Sequence, residues 1–168
     1  MQEQFDLTNK VVLITGGARR IGATVGRVLH DLGMNLVIHY RHSETEARAL
    51  QDELHKNREN SVLLLQADLL HVAKLTRMVQ QIIEHYGRLD VLINNASSFY
   101  PTPLGEVTEA QWDDLFGTNL KAPLFLSQAV ATLESKTGLY YQYGRYSCDS
   151  SAQKSVRPIV LQKRVWRC

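Results

Sequence analysis

The hydrophobic positions of the chain fall into an alternating series. Val11-Val12-Leu13-Ile14 is a short continuous apolar run, as in a strand buried on both faces, and Gly16 and Gly17 stop it. Ile21, Val25, Val28, Leu29 and Leu32 then recur at three- and four-residue spacing, which predicts a helix packed through that face and closed by Gly33. Leu36-Val37-Ile38 predicts a second strand, and Ser43 followed by Glu46 is a capping-box signature that opens the next helix. Val62-Leu63-Leu64-Leu65 predicts a third strand. Leu75, Met78, Val79, Ile82 and Ile83 predict an amphipathic helix ended near Gly87. Val91-Leu92-Ile93 predicts a fourth strand, and Thr108 with Gln111 is a second capping box, from which a helix runs toward Glu134.

Strands that alternate with helices predict an α/β fold. Its architecture would be a Rossmann-type, doubly wound parallel sheet with right-handed crossovers, truncated after the fourth βα unit. The length of 168 residues suits one domain, and 44% hydrophobic with 21% charged residues excludes a disordered, collagenous or coiled-coil chain. No apolar run approaches the ~18 residues of a membrane helix. Met1-Gln2-Glu3-Gln4 has neither the basic nor the apolar region of a secretory leader, and the two cysteines do not make a disulfide framework. The expectation is a cytoplasmic protein that binds neither membrane nor nucleic acid.

Charge divides the chain. Residues 1–134 hold 12 basic and 16 acidic residues, net −4; residues 135–168 hold seven basic residues and one Asp, net +6. The second segment also holds both cysteines and four of the seven tyrosines, and shows neither strand alternation nor a helical face. Residues 1–134 are therefore expected to form the α/β domain, and 135–168 a basic tail of different character.

Thr15-Gly16-Gly17-Ala18-Arg19-Arg20-Ile21-Gly22 lies between the first strand and the first helix. Glycines let a backbone approach a pyrophosphate, and the helix N-terminus offers free N–H groups and a positive dipole end. The segment lacks the G-x-G-x-x-G spacing, and the alternative is a glycine turn that binds nothing. The second strand ends His39-Tyr40-Arg41-His42-Ser43, with no acid before Glu44. An acid there would hold the ribose 2′-hydroxyl of NAD; Arg41 with Ser43 suits the 2′-phosphate of NADP, the alternative being a solvated basic turn. His39 and His42 have no neighbours that complete a metal site, and a structural or phosphate role is expected for both.

These residues resemble the short-chain dehydrogenase/reductase family over positions 8 to about 134. Asp68 after the third strand matches the family's adenine-contacting Asp. Asn94-Asn95-Ala96 matches its Asn-Asn-Ala-Gly motif with Ser97 replacing Gly, and Asn119 matches its helix asparagine. Most members carry Gly where this chain has Arg20. Thr15–Gly22, Ile38–Ser43 and the stretch Asn94–Leu104 look instead like the pteridine reductases, the last of these being the most specific signal in the chain. The resemblance implies NADP(H) held by Gly16, Arg19, Arg20, Ile21 and Gly22, by Tyr40, Arg41, His42 and Ser43, by Asp68 and Leu69, and by Asn95, Ala96 and Ser97. It implies a pterin or folate substrate met by Arg20, Ser97 and Phe99 of a substrate loop at 97–104. Phe99 would cover one face of the flat ring, as offset stacking favours, the alternative being ordinary core packing.

For Asn119 the resemblance implies a catalytic role, its main-chain carbonyl holding a water of the proton relay. Pro123, four residues on, has no N–H for that carbonyl, although it could equally be a simple kink. The family also implies a homotetramer built partly on the helix of Asn119 and on the helix of a catalytic tyrosine.

The chain departs from the family beyond residue 134. The family's proton donor is the tyrosine of a Tyr-x-x-x-Lys pair, whose lysine favours the phenolate. No tyrosine here is followed four residues later by lysine; Tyr141 has Arg145 at that place. A shifted reading frame accounts for this and for the composition break. Dropping one base from the codon of Tyr140 permits Ile-Ile-Asn-Met-Val-Asp-Ile-His-Ala, a strand followed by the Asp that pteridine reductases use. Dropping two bases across Arg157–Arg167 permits Ser-Tyr-Ser-Ile-Ala-Lys-Ala-Gly-Leu-Ala. The alternative is a divergent basic tail. As written, the chain is expected to be inactive as a reductase. Other carbonyl reduction, or nucleotide binding without catalysis, are the remaining readings.

Overall fold

In a computed structural model, residues 6–133 are described throughout, together with the backbone of residues 140–143 and 158–162. The elements follow the hydrophobic pattern: β1 (Val11–Ile14), α1 (Arg20–Asp31), β2 (Asn35–Tyr40), α2 (Glu44–His55), β3 (Val62–Gln66), α3 (Val72–Tyr86) and β4 (Val91–Asn94). After β4 come α4 (Glu109–Phe116), a π turn (Gly117–Lys121) and α5 (Ala122–Leu133). All strand pairings are parallel, with Ile14 opposite Ile38 on one side and Ile93 on the other. Side-chain alternation then divides each strand between two cores. Val11, Leu13, Val37 and Leu92 pack under α3 and α5; Val12, Ile14, Leu36, Ile38 and Ile93 pack under α1 and α2.

The doubly wound arrangement is the expected one through β4, but the sheet continues. Tyr140–Tyr143 (β5) and Pro158–Gln162 (β6) extend it in the order β3-β2-β1-β4-β6-β5, with Val91 opposite Ile159 and Pro158 opposite Tyr140. Residues 135–168 show neither strand alternation nor a helical face, so the pattern predicts no strand there. Proline is tolerated as the first residue of a strand, where one ladder donor is not missed. The remainder of the tail, including Arg145 and the shifted-frame peptides apart from these two backbone segments, lies outside the described residues, as do Met1–Phe5.

Two local expectations are corrected. Helix α1 does not pack through the whole apolar stripe. Its buried residues are Gly22, Ala23, Gly26 and His30, while Ile21, Val28 and Leu32 are exposed. The cause is close approach: a Cβ on Gly26 would already touch Leu36, Ile38 and Ile14 at 3.5–3.7 Å, so small residues face the sheet. At α2 the Ser43–Glu46 capping box does not form. Glu46 turns instead to Arg19 at 3.3 Å. The Thr108–Gln111 box at α4 is complete, with reciprocal hydrogen bonds of 3.2 and 2.9 Å.

Candidate cofactor cleft

A cleft of about 430 Å³ opens where the C-terminal ends of β1, β2, β3 and β4 meet the N-terminus of α1. Parallel sheets present ligand sites at this edge, where the strand order reverses. All of the residues singled out for the cofactor line it: Gly16, Arg19, Arg20, Ile21 and Gly22 from the loop, Tyr40, Arg41, His42 and Ser43 from the end of β2, Asp68 and Leu69 after β3, and Asn95, Ala96 and Ser97 after β4. Asn119 and Phe99 do not line it. Ala18, Ala67, Ser98 and Thr118 do, though no cofactor role was expected for them, and so does His39, for which a structural or phosphate role was expected.

The loop after β1 is held by groups that consume its inward-facing polar atoms. Thr15, 1% exposed, accepts the N–H groups of Asn95 at 2.9 Å and Ala96 at 3.0 Å on its hydroxyl. Asn95 returns its side-chain amide to the carbonyls of Thr15 and Gly16, both at 3.0 Å. Gly22 leaves the room: a Cβ there would sit 2.7 Å from Asn95 Nδ2 and 2.7 Å from the Gly16 carbonyl. Gly16 itself has φ +60°, and a Cβ on it would meet the Ala96 backbone at 3.0 Å. The Gly16 and Gly17 amides turn inward to His39, at 3.2 Å to Nδ1 and 3.0 Å to its carbonyl. With these two amides turned away, the first turn of α1 offers amides to a ligand. Its first intrahelical bond runs from Ala23 N–H to the Arg19 carbonyl, leaving Arg20, Ile21 and Gly22 as the unpaired donors of a helix start.

Arg20 opens that turn at φ +50°, in the left-handed region. Glycine adopts it freely, which gives a backbone reason for the Gly that most members of the resembled family carry here. An arginine at this place holds strain at the rim of the cleft.

The mouth is cationic. Arg19, Arg20, Arg41 and His42 line it. Among the described residues the one carboxylate lining it, Asp68, lies 3.0 Å from Arg41 and also accepts the Leu70 N–H at 3.0 Å. This ion pair is partly exposed, so its net worth is small and Arg41 can exchange partners readily. Ser43 makes no capping hydrogen bond and lines this region. His39 is buried, and desolvation pushes its imidazole down to about 4 against the opposing pull of the Ala67 carbonyl and Asp68. A neutral, fully hydrogen-bonded ring fits the structural role expected for it. Among the described residues no cluster of side chains could hold a metal ion.

The segment after β4 carries the remaining residues. Ser97 reaches the cleft, but Phe99 is 92% exposed and Leu104 100% exposed, so the core-packing alternative for Phe99 is ruled out. Asn119 sits in the π turn rather than in a regular α-helix. Its side chain pairs with the Ser98 backbone in both directions, accepting its N–H at 3.2 Å and donating to its carbonyl at 2.9 Å. The spacing to Pro123 pointed to the Asn119 carbonyl; the side-chain clamp had no signal in the sequence, since Ser98 lies 21 positions away.

A family profile described as short chain dehydrogenase matches residues 10–139. Pteridine reductase 1 of Leishmania tarentolae is 37% identical over 155 positions, covering 74% of this chain and 54% of that protein. Hydroxynaphthalene reductase-like protein Arp2 of Metarhizium anisopliae is 34% identical over 122 positions, covering 73% and 45%. Short chain dehydrogenase mdpC of Emericella nidulans is 29% identical over 166 positions, covering 93% and 62%. The chain thus spans about half the length of the first two of these curated relatives. The loop, cleft and strand order described above, together with these matches, establish that the chain belongs to the short-chain dehydrogenase family.

Proposed function

We propose that the cleft binds NADP(H) and that the fold serves an NADPH-dependent reductase of a pterin or dihydrofolate-like ring. The observation that carries the cofactor reading is the convergence of Arg19, Arg20, Arg41 and His42 on a cleft built at a helix N-terminus, with the only lining carboxylate among the described residues already paired to Arg41. What supports a phosphate-bearing ligand is the start of α1, whose first intrahelical bond is Ala23 N–H to the Arg19 carbonyl, so the amides of its first turn remain for a ligand beside Arg19, Arg20 and Arg41. The first-turn amides of α1 would hold the pyrophosphate, Arg41 and Ser43 the 2′-phosphate, and Asp68 and Leu69 the adenine. Asn95, Ala96 and Ser97 would flank the nicotinamide end. Bound there, the cofactor would supply a hydride, and these residues would supply its position.

The substrate reading rests on the 94–104 stretch and on the relative named as a pteridine reductase. Arg20 and Ser97 would meet the ring, Phe99 would cover it, and Asn119 would act through Ser98, whose backbone it fixes beside Ser97. A cytoplasmic location and a family-type tetramer go with this reading. No helix among the described residues is long and apolar enough to cross a membrane.

A second reading is favoured by one specific observation. These 168 residues, which span about half the length of the first curated relatives, contain no tyrosine with lysine four positions on, which favours nucleotide binding without reduction by this stretch of chain. Titration with NADPH and NADH, followed by tryptophan fluorescence, tests the cofactor. NADPH should bind more tightly, and Arg41→Ala should weaken NADPH about 10- to 100-fold while leaving NADH unchanged, as loss of a charge-assisted hydrogen bond requires. Equal affinity for both nucleotides would overturn the NADP reading. NADPH oxidation with dihydropterin, dihydrofolate and simple carbonyls then decides among pterin reduction, reduction of another carbonyl, and binding alone.

A further inference from the structure

His39 joins two parts of the cleft that the chain separates by about 50 residues. Its Nδ1 accepts the Gly16 N–H at 3.2 Å, and its own carbonyl accepts the Gly17 N–H at 3.0 Å. On the far side of the ring, Nε2 lies 3.1 Å from the Ala67 carbonyl, one residue before Asp68. A backbone amide can only donate and a carbonyl can only accept. The ring must therefore be the neutral tautomer with its proton on Nε2. The side chain is 2% exposed, so no water can substitute for either partner without opening the core. The other charged group acting on the ring is Asp68.

The geometry assigns His39 as a positioning residue: held as the Nε2–H tautomer, it is a strut that sets the distance between the phosphate loop and the Ala67–Asp68 wall. This rests on the proposed dinucleotide reading for its purpose, because a dinucleotide's pyrophosphate and adenine would contact those two parts at once. The strut needs both ring nitrogens. His39→Asn can keep an acceptor near the Nδ1 position but cannot reach Ala67; His39→Gln can reach Ala67 but withdraws the acceptor from Gly16. Each variant breaks one connection, and His39→Leu breaks both.

Two readouts on the whole chain test this. On the ligand-free protein, ¹⁵N NMR should show an unprotonated Nδ1 and a protonated Nε2 at neutral pH. The Gly16 amide should be protected from exchange in the wild type and in His39→Asn, and unprotected in His39→Gln and His39→Leu. In NADPH titrations, His39→Leu should raise Kd by about tenfold or more, the equivalent of one hydrogen bond's worth of preorganisation. Each single-connection variant should fall between it and wild type. Leu13→Ala, a plain core truncation, should lower the unfolding midpoint but leave the Gly16 amide and the Kd unmoved well below that midpoint.

A proton on Nδ1, or a Gly16 amide equally protected in every variant, would overturn the strut whether or not NADPH binds. A confirmed tautomer and amide pattern with no NADPH binding in the wild type would leave the strut standing and overturn the dinucleotide reading instead. Should His39→Leu not fold, the Asn and Gln variants carry the comparison.

Discussion

Gly22 and Gly26 lie one turn apart on α1, and the same substitution should have opposite effects at the two. In a helix interior alanine is favoured over glycine by about 1 kcal/mol. At Gly26 nothing opposes that gain. A Cβ would meet Leu36, Ile38 and Ile14 methyls at 3.5, 3.6 and 3.7 Å, ordinary apolar contact. Gly26→Ala should therefore stabilise the fold by about 1 kcal/mol. At Gly22 a Cβ would lie 2.7 Å from Asn95 Nδ2, 2.7 Å from the Gly16 carbonyl and 2.9 Å from Gly17 Cα. Two of these are backbone atoms of the phosphate loop, which cannot rotate away. Relief requires the loop to move, an overpacking cost of about 1–3 kcal/mol. It also strains the Asn95 amide that bridges Thr15 and Gly16, costing about 1 kcal/mol more. Against the helix-propensity gain, Gly22→Ala should come out destabilising by about 1–3 kcal/mol. Urea denaturation of wild type and both variants measures this, with unchanged slopes showing that only the native state has been altered. NADPH affinity should fall in Gly22→Ala and hold in Gly26→Ala. If Gly22→Ala stabilised as much as Gly26→Ala, the loop would not be seated on α1 through Asn95, and the account of the cleft would be wrong.

Acid should weaken the fold through His39. An unfolded imidazole titrates near 6.5 and the buried ring at about 4, so no penalty exists above 6.5. As pH falls from 6.5 to 4 the unfolded chain takes up a proton that the fold refuses, removing up to about 3 kcal/mol; urea midpoints across this range check it, and His39→Asn should flatten the trend. Thr15→Val keeps shape but leaves the Asn95 and Ala96 amides, now at 2.9 and 3.0 Å from the hydroxyl, without their acceptor. It should cost about 2–4 kcal/mol in denaturant unfolding. Arg20→Gly relieves a backbone at φ +50° and should stabilise by about 1 kcal/mol while weakening NADPH binding, a trade visible by running thermal melts and titrations on the same variant.

The cofactor-side residues were legible because each sits at the end of a strand whose apolar run is plain. Once β1, β2, β3 and β4 are parallel neighbours, the residues after them must converge at one edge. The 94–104 stretch was legible as an exposed loop, and Phe99 at 92% exposure agrees with that. The roles inside the cleft were less so. Asn95 reads as a ligand-contacting residue, yet its amide is spent on the Thr15 and Gly16 carbonyls. His39 reads as either structural or phosphate-facing, and only the fold shows its buried ring hydrogen-bonded to Gly16 and Ala67, the structural alternative.

Local patterns by themselves determined the strands and helices of the four βα units from β1 to α5 and the cleft's edge, since periodicity and glycine placement act within a few residues; the sheet itself does not stop with them, because β6 and β5 extend it. Which face of α1 is buried was a tertiary matter, because the helix comes so near the sheet that the small residues Gly22, Ala23 and Gly26 face it, with His30 buried beyond them. Glu46 could cap its own helix or pair with Arg19, and the approach of α1 to α2 decided for Arg19. The clamp of Asn119 on Ser98 and the strut of His39 between Gly16 and Ala67 join positions 21 to 28 residues apart. The order of β6 and β5 beside β4 likewise depends on which strand reaches the open edge. Hydrogen bonds of that kind depend on distances set by packed sheets and helices, and no local pattern of residues encodes them.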